Sequence, residues 1–108
     1  MKKYLSALLM LASTANAQSI DCPKKLGIYW LTDASTYFDK KSEIQGERKE
    51  LKNGYDEILP PNVEYLVCEY ENAQKKWRRF LPKDGINSCV LQLRHIANKV
   101  ERISLICK

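Results

Sequence analysis

Apolar and polar residues alternate along most of the second half of the chain, from residue 64 to residue 107. An alternation with a period of two is typical of a β-strand that buries one of its faces. Two pairs of such runs, EYLVCEY with KKWRRFLP and CVLQLRH with VERISLICK, are each separated by a short break, ENAQ or IANK. The pattern therefore predicts two consecutive antiparallel hairpins, joined by the loop KDGINS.

The second hairpin predicts its own register. One face of each strand carries three apolar side chains: Cys89, Leu91 and Leu93 on the outgoing strand, and Ile103, Leu105 and Cys107 on the return. Pairing Leu93 with Ile103 also places Cys89 opposite Cys107. A slip of one residue would turn every one of these side chains to the wrong face, so we expect this pairing.

The part of the chain that precedes the hairpins is less regular. Residues 26–31 are apolar enough for a buried strand. Residues 32–35 contain Asp and Ser, which favour a turn by bonding to their own backbone. Residues 36–38 would then begin a second short strand.

A highly charged segment, residues 39–53, contains only two apolar positions, Ile44 and Leu51. A single narrow stripe makes a poor amphipathic helix, and Gly46 in its middle weakens a helix further. We expect a solvated loop lying over the sheet, with a short helix as the alternative.

The first residues have the pattern of a signal peptide. Lys2 and Lys3 precede a short apolar run, residues 5–12, and Ala15-Asn16-Ala17 matches a small-x-small cleavage site. The apolar run is shorter than the roughly 20 residues that a membrane-spanning helix needs. We expect cleavage after Ala17 and export to a bacterial periplasm, which leaves residues 18–108 as a single domain.

All four cysteines, Cys22, Cys68, Cys89 and Cys107, follow the predicted signal peptide. An even number of cysteines in a small exported domain predicts two disulfides. One solution is Cys89–Cys107 with Cys22–Cys68, which agrees with the register of the second hairpin. The other is Cys22–Cys107 with Cys68–Cys89, which ties the first strand to the last. The sequence leaves both pairings open.

The charge balance and the metal-ligand content restrict the classes of partner. The chain has 18 Lys and Arg against 13 Asp and Glu, and loss of Lys2 and Lys3 leaves 16 against 13. A net charge of only +3 is less basic than a nucleic-acid-binding domain usually is. With no C-x-x-C pair and a single histidine, His95, we expect no metal site and no cofactor.

The most distinctive candidate for a binding site is the basic–aromatic strip, residues 75–80. It consists of the candidate residues Lys75, Lys76, Trp77, Arg78 and Arg79, followed by Phe80. Cations next to aromatic rings can bind phosphates, anionic glycans or an acidic protein surface. Lysine and arginine also protect an edge strand from pairing with another chain, which gives the strip a purely structural interpretation.

Residues that could support catalysis are scarce. His95 is the only histidine, and no motif of the G-x-S-x-G kind accompanies it. A residue near the end of a strand is more typical of a hairpin end than of an active site. We therefore expect that the protein is not an enzyme and has no catalytic residues, with a small hydrolase that uses His95 as a third hypothesis.

Several short motifs carry a family likeness: Asp21-Cys22-Pro23, Leu66-Val67-Cys68-Glu69-Tyr70, Phe80-Leu81-Pro82 followed by Cys89, and the terminal Ile106-Cys107. They resemble a family of small exported Gram-negative proteins that is named after a Salmonella Typhi locus and has no assigned activity. Some members lie near secretion-system genes, which implies an immunity or inhibitor role in the periplasm.

The sequence thus predicts a mainly β domain: a small antiparallel sheet of two hairpins and an N-terminal strand, with two disulfides. The function we expect is that of a periplasmic binding protein, an inhibitor or immunity protein that occludes a partner enzyme. The alternative is an envelope-associated module that binds anionic glycan or lipid headgroups through residues 75–80.

Overall fold

The structure, a computed structural model, describes residues 18–84 and 88–108. The predicted signal segment, residues 1–17, lies outside the described residues. Within them the chain forms ten strands and no helix. The strands are β1 (Gln18–Asp21), β2 (Lys25–Leu26), β3 (Tyr29–Tyr37), β4 (Glu43–Ile44), β5 (Glu47–Leu51), β6 (Gly54–Leu59), β7 (Tyr65–Glu71), β8 (Lys76–Pro82), β9 (Cys89–Ile96) and β10 (Lys99–Cys107).

These strands form two antiparallel sheets that pack face to face. The first sheet has the order β1-β10-β9-β6-β5, and the second has the order β2-β3-β7-β8, with β4 paired to β3. Their inner faces meet in one apolar core, as in other β-sandwiches. Its members include Leu91, Leu93, Ile103 and Leu105 from the first sheet and Leu31, Leu66 and Tyr70 from the second.

Both predicted hairpins are confirmed, one in each sheet. β7 pairs with β8, and β9 pairs with β10. The predicted register of the second hairpin is also confirmed, since Leu93 lies opposite Ile103 and Cys89 lies opposite Cys107. The mainly β fold with two disulfides is therefore correct, although it contains two sheets instead of one.

The disulfides join Cys22 to Cys68 and Cys89 to Cys107. The direction of β1 explains this pairing. β1 runs antiparallel to β10 with Gln18 opposite Cys107, so Cys22 lies beside Ile103, whose carbonyl accepts its N–H at 3.0 Å. Four residues of extended strand, about 13 Å, separate that position from Cys107. Cys22 faces the other sheet instead, and its disulfide links the two sheets.

The predicted turn at residues 32–35 is wrong, because β3 continues through it. The chain reverses earlier, at residues 27–28, where Gly27 has φ +60°. The register with β7 shifts between Leu31 and Asp33, so the polar residues form a β-bulge and the strand continues. The Asp33 carboxylate accepts the Ala34 N–H at 2.8 Å, which gives this backbone donor next to the bulge a hydrogen-bond partner.

The predicted loop at residues 39–53 is also wrong, since it contains β4 and β5. Among the described strands, β5 lies at the edge of the first sheet and pairs only with β6. An edge strand has one side and most of one face in solvent, so it can be highly charged and still be held by backbone hydrogen bonds. That is why its composition resembles that of a loop.

The turn between β9 and β10 contains Ala97, which is the one non-glycine residue with positive φ, 54°, in the described ranges. That conformation costs an L-residue with a Cβ roughly 1–2 kcal/mol. We expect Ala97→Gly to raise the free energy of unfolding by about 0.5–1 kcal/mol in urea denaturation. The control is Ala73→Gly in the β7–β8 turn, which should give no gain. Equal effects of the two substitutions would contradict the assigned turn conformation.

Candidate binding surface on the second sheet

Lys75 of the basic–aromatic strip lies in the β7–β8 turn, and the other residues of the strip lie in β8, the edge strand of the second sheet. Those in β8 divide between two faces. Trp77 lies opposite the buried Tyr70, so it belongs to the inner face, and Arg79 follows it there. Lys76 and Arg78 alternate with them and lie on the outer face. The structure therefore does not bring the five candidate residues into one site.

Trp77 is occupied by packing within the protein. Its ring stacks on that of Tyr70 at a centroid distance of 5.1 Å and meets Tyr29 edge-on at 5.6 Å. Its buried indole N–H has no hydrogen-bond partner among the described residues. The stacking platform that the sequence suggested at Trp77 thus serves the core and not a ligand.

Three aromatic rings lie together on the outer face of the second sheet. Phe80 meets Tyr37 and Tyr65 edge-on, at centroid distances of 5.6 and 5.8 Å. Strand pairing fixes this arrangement, because Tyr37 lies opposite Tyr65, and Phe80 lies opposite the neighbouring Val67. Val67 is fully buried although its strand position is on the outer face. The rings therefore form a small apolar layer outside the sandwich.

Arg78 lies against this layer. Its guanidinium carbon is 5.6 Å from the Tyr37 ring centroid and 5.4 Å from that of Phe80, and its Nη1 donates a 2.8 Å hydrogen bond to the Tyr37 hydroxyl. Glu69 lies opposite Arg78 in the strand register, but within the described residues it is 4.0 Å from Lys76 Nζ and forms no ion pair with Arg78. The two ring contacts and the hydrogen bond to Tyr37 hold the Arg78 guanidinium on the outer face of the sheet.

A second cation approaches from the other side. Lys40 Nζ is 6.0 Å from the Tyr65 ring centroid. It lies in a tight turn that Asp39 holds by accepting the backbone N–H groups of Lys41 and Ser42 at 2.7 and 2.6 Å. These two hydrogen bonds lower the pKa of Asp39, which keeps its carboxylate ionised. We call Tyr37, Lys40, Tyr65, Arg78 and Phe80 the outer-face cluster.

A groove continues the outer-face cluster at the end of the sheet. It has a volume of about 530 Å³, and its walls include Phe38, Pro61, Tyr65 and Pro82. Phe38 is 44% exposed, which is high for a large apolar side chain. The outer-face cluster and the groove share Tyr65, so together they form one continuous surface, mainly apolar, that carries cations and the Glu64 side chain.

The sequence could not indicate that Tyr37, Lys40 and Tyr65 lie on the same surface as Arg78. They come from β3, from the turn that follows it and from β7, and only the strand register brings them together. The available signal was the alternation within β8, which puts Arg78 and Phe80 on one face. It does not reveal which face is buried.

A polar cleft lined by residues of both sheets contains a buried carboxylate. Glu57 accepts the Gly46 N–H at 3.0 Å and forms an ion pair of 3.0 Å with Arg48. The Arg48 guanidinium also lies 3.8 Å from the Tyr55 ring centroid. Burial raises the pKa of Tyr55 to about 12, so the phenol is neutral. Because these groups satisfy one another, the cleft has a structural role in holding β5.

His95 lies far from the outer-face cluster, beside the β5–β6 turn. Its backbone N–H donates to the Asn53 carbonyl at 2.8 Å. It shares a shallow cavity with Asp33 and Glu50, but no hydrogen bond joins its ring to either carboxylate within the described residues. In the same part of the chain, no three His, Cys, Asp or Glu side chains are grouped as metal ligands.

Comparisons with protein-family models, curated proteins and solved structures give no match for this chain. Among the residues that the structure describes, no helix has the length and apolar character to cross a bilayer.

Proposed function

We propose that this protein is exported to the periplasm and acts as a binding protein that inhibits a partner enzyme by covering it. The outer-face cluster and the adjoining groove would form its docking surface. The observation that carries the proposal is Arg78, a cation held against two aromatic rings that forms no ion pair within the described residues. The two disulfides support an oxidising compartment.

The composition of the surface favours a protein partner. Tyrosine and arginine are enriched among the residues that dominate binding energy at protein interfaces. Their side chains here are already ordered by mutual contacts, so little conformational entropy would be lost on binding. A standard interface buries about 800 Å² on each partner, which the outer face of a sheet with its groove can supply.

The charge of the surface favours an acidic partner. Arg78 and Lys40 approach the three rings from separate positions. A carboxylate from the partner could accept two parallel hydrogen bonds from the Arg78 guanidinium, which is the strongest geometry for such a pair. The charged residues of β8 would then have two roles: they would keep the sheet edge solvated, and they would recognise the partner protein.

A photo-crosslinking amino acid tests this proposal in cells. Benzoylphenylalanine in place of Phe80 should form an adduct with one periplasmic protein, whose activity falls when equimolar purified protein is added. The matched control replaces Ile58, which is 60% exposed on the outer face of the first sheet, and should give no such adduct. Identical adducts from both positions, or none from position 80, would refute the assigned surface.

The alternative ligand is an anionic glycan or lipid headgroup held by the strip. The structure supports a narrower version, in which Lys76 and Arg78 contact the ligand while Arg79 lies on the opposite face. Binding to a uronic acid polymer should then be lost in Lys76→Gln with Arg78→Gln and kept in Arg79→Gln. Loss in all variants or in none would exclude this version.

A further inference from the structure

Four hairpin turns lie at one end of the sandwich, which we call the hairpin-tip end. Trp30, just after the first turn, pairs with Glu71, just before the third. Trp30 and Ile96 line one cavity of about 470 Å³, which brings the fourth turn beside the first. The second turn joins them through the hydrogen bond of the His95 N–H to Asn53. The turns comprise residues 27–28, 52–53, 72–75 and 97–98.

Large apolar side chains are exposed at these tips. Ile28 is 68% exposed, Trp30 is 53% exposed and Ile96 is 65% exposed. The two isoleucines lie on separate turns, one from each sheet. Trp30 and Ile96 line one cavity, and a contiguous exposed apolar patch of this kind usually marks a binding surface. Because the two isoleucines project from separate turns, they are better suited to a fluid hydrocarbon layer than to a preformed pocket on a protein.

The same tips carry the net positive charge of the domain. Within two residues of the four turns there are two glutamates, Glu50 and Glu71, and five lysines, Lys25, Lys52, Lys75, Lys76 and Lys99. Their balance of +3 equals the net charge of residues 18–108, so the rest of the domain is neutral. Lys24 and Glu101, which are next to this end, compensate each other in an ion pair of 2.8 Å.

From this arrangement we infer that the hairpin-tip end docks on an anionic phospholipid bilayer. The lysines complement the negative surface of such a membrane, with which each nearby lysine interacts favourably. Trp30 has Lys25 Nζ at 4.8 Å from its ring centroid. An amphipathic tryptophan ring next to a cation is favoured at the depth of the lipid headgroups. The isoleucines enter the acyl boundary. The outer-face cluster lies on the side of the sandwich and stays accessible.

Co-sedimentation with vesicles tests this inference. The protein should bind vesicles of phosphatidylglycerol and phosphatidylcholine but not vesicles of phosphatidylcholine alone, and salt should weaken the binding. Trp30 emission should shift to the blue, and Trp30→Phe should remove that shift because Trp77 is already packed against Tyr29 and Tyr70. Each of Ile28→Ser and Ile96→Ser should weaken binding about tenfold.

The matched control is Ile58→Ser, an equally exposed isoleucine away from the tips, which should bind as the wild type does. Absence of binding to anionic vesicles, or an equal loss in Ile58→Ser, would overturn the inference. A wild-type protein that captures a partner protein through Ile28 and Ile96 but ignores vesicles would also overturn it. Arg78→Glu and Arg102→Glu should weaken vesicle binding equally, which separates this result from that of the proposed function.

Discussion

Replacing both Cys22 and Cys68 by alanine is expected to lower the free energy of unfolding by about 4 kcal/mol. The disulfide closes a loop of 46 residues, and the loop-entropy relation gives that magnitude for the constraint removed from the unfolded chain. It also joins the two sheets. Because small domains of this size are only marginally stable, we expect substantial unfolding at 37 °C. Denaturation in guanidinium chloride under oxidising conditions measures the loss.

The second disulfide is the internal control. Cys89 and Cys107 lie opposite each other in one hairpin, and their loop has 18 residues. The same relation gives about 3 kcal/mol for its removal. The strand register already holds these residues together, so we expect the smaller loss of the two. A larger loss from the Cys89 and Cys107 pair would contradict the role assigned to the inter-sheet disulfide.

Gly54→Ala is expected to cost about 3 kcal/mol or more. Gly54 begins β6 with φ +147°, a conformation that residues with a side chain rarely adopt. A Cβ at this position would lie 1.9 Å from the Leu93 carbonyl oxygen, which belongs to the backbone of the neighbouring strand β9. The central pairing of the first sheet would have to shift.

Gly27→Ala separates the cost of the positive φ from the cost of the steric contact with the neighbouring strand. Gly27 also has a positive φ, +60°, but a Cβ there meets nothing within 4 Å. It should therefore cost only about 1 kcal/mol, the conformational part of the effect. Thermal or urea denaturation compares the two variants. Equal losses would show that close approach of β9 does not determine the effect at Gly54.

The hairpins could be predicted from the sequence because their signal is local. In β9 and β10 the apolar residues alternate without interruption, and only one register buries Leu91, Leu93, Ile103 and Leu105 together. Alternation also placed Arg78 and Phe80 on the same face of β8. These features depend on neighbouring residues of one hairpin and on the period of a strand.

The first half of the chain depends on contacts that the sequence does not display. Thr32 is left out of the register in a bulge, because β7 pairs with Leu31 before it and with Asp33 after it. Residues 47–51 form an edge strand because β6 holds them, although their charges are typical of a loop. Local composition therefore predicted a turn and a loop where tertiary pairing produces strands.

In the candidate site, too, local sequence predicts some features and contacts between distant strands determine the others. Residues 75–79 are contiguous, yet the two faces of β8 give them separate roles, with Trp77 packed against Tyr70. Tyr37, the hydrogen-bond partner of Arg78, comes from β3, 41 positions earlier in the chain, and Tyr65, which packs on Phe80, comes from β7. Recognition at a sheet face depends on register between distant strands, which a contiguous motif cannot reveal.

The affinity of the purified protein for the partner crosslinked at position 80 tests the central claim most directly. Arg78→Glu should weaken binding at least thirtyfold, because it removes an ordered interfacial cation and opposes an acidic surface. Arg102→Glu, the same charge change on an exposed arginine of the first sheet, should change it less than threefold. Inhibition of the partner should follow the same order. Equal affinities of the two variants would contradict the assignment of the docking surface.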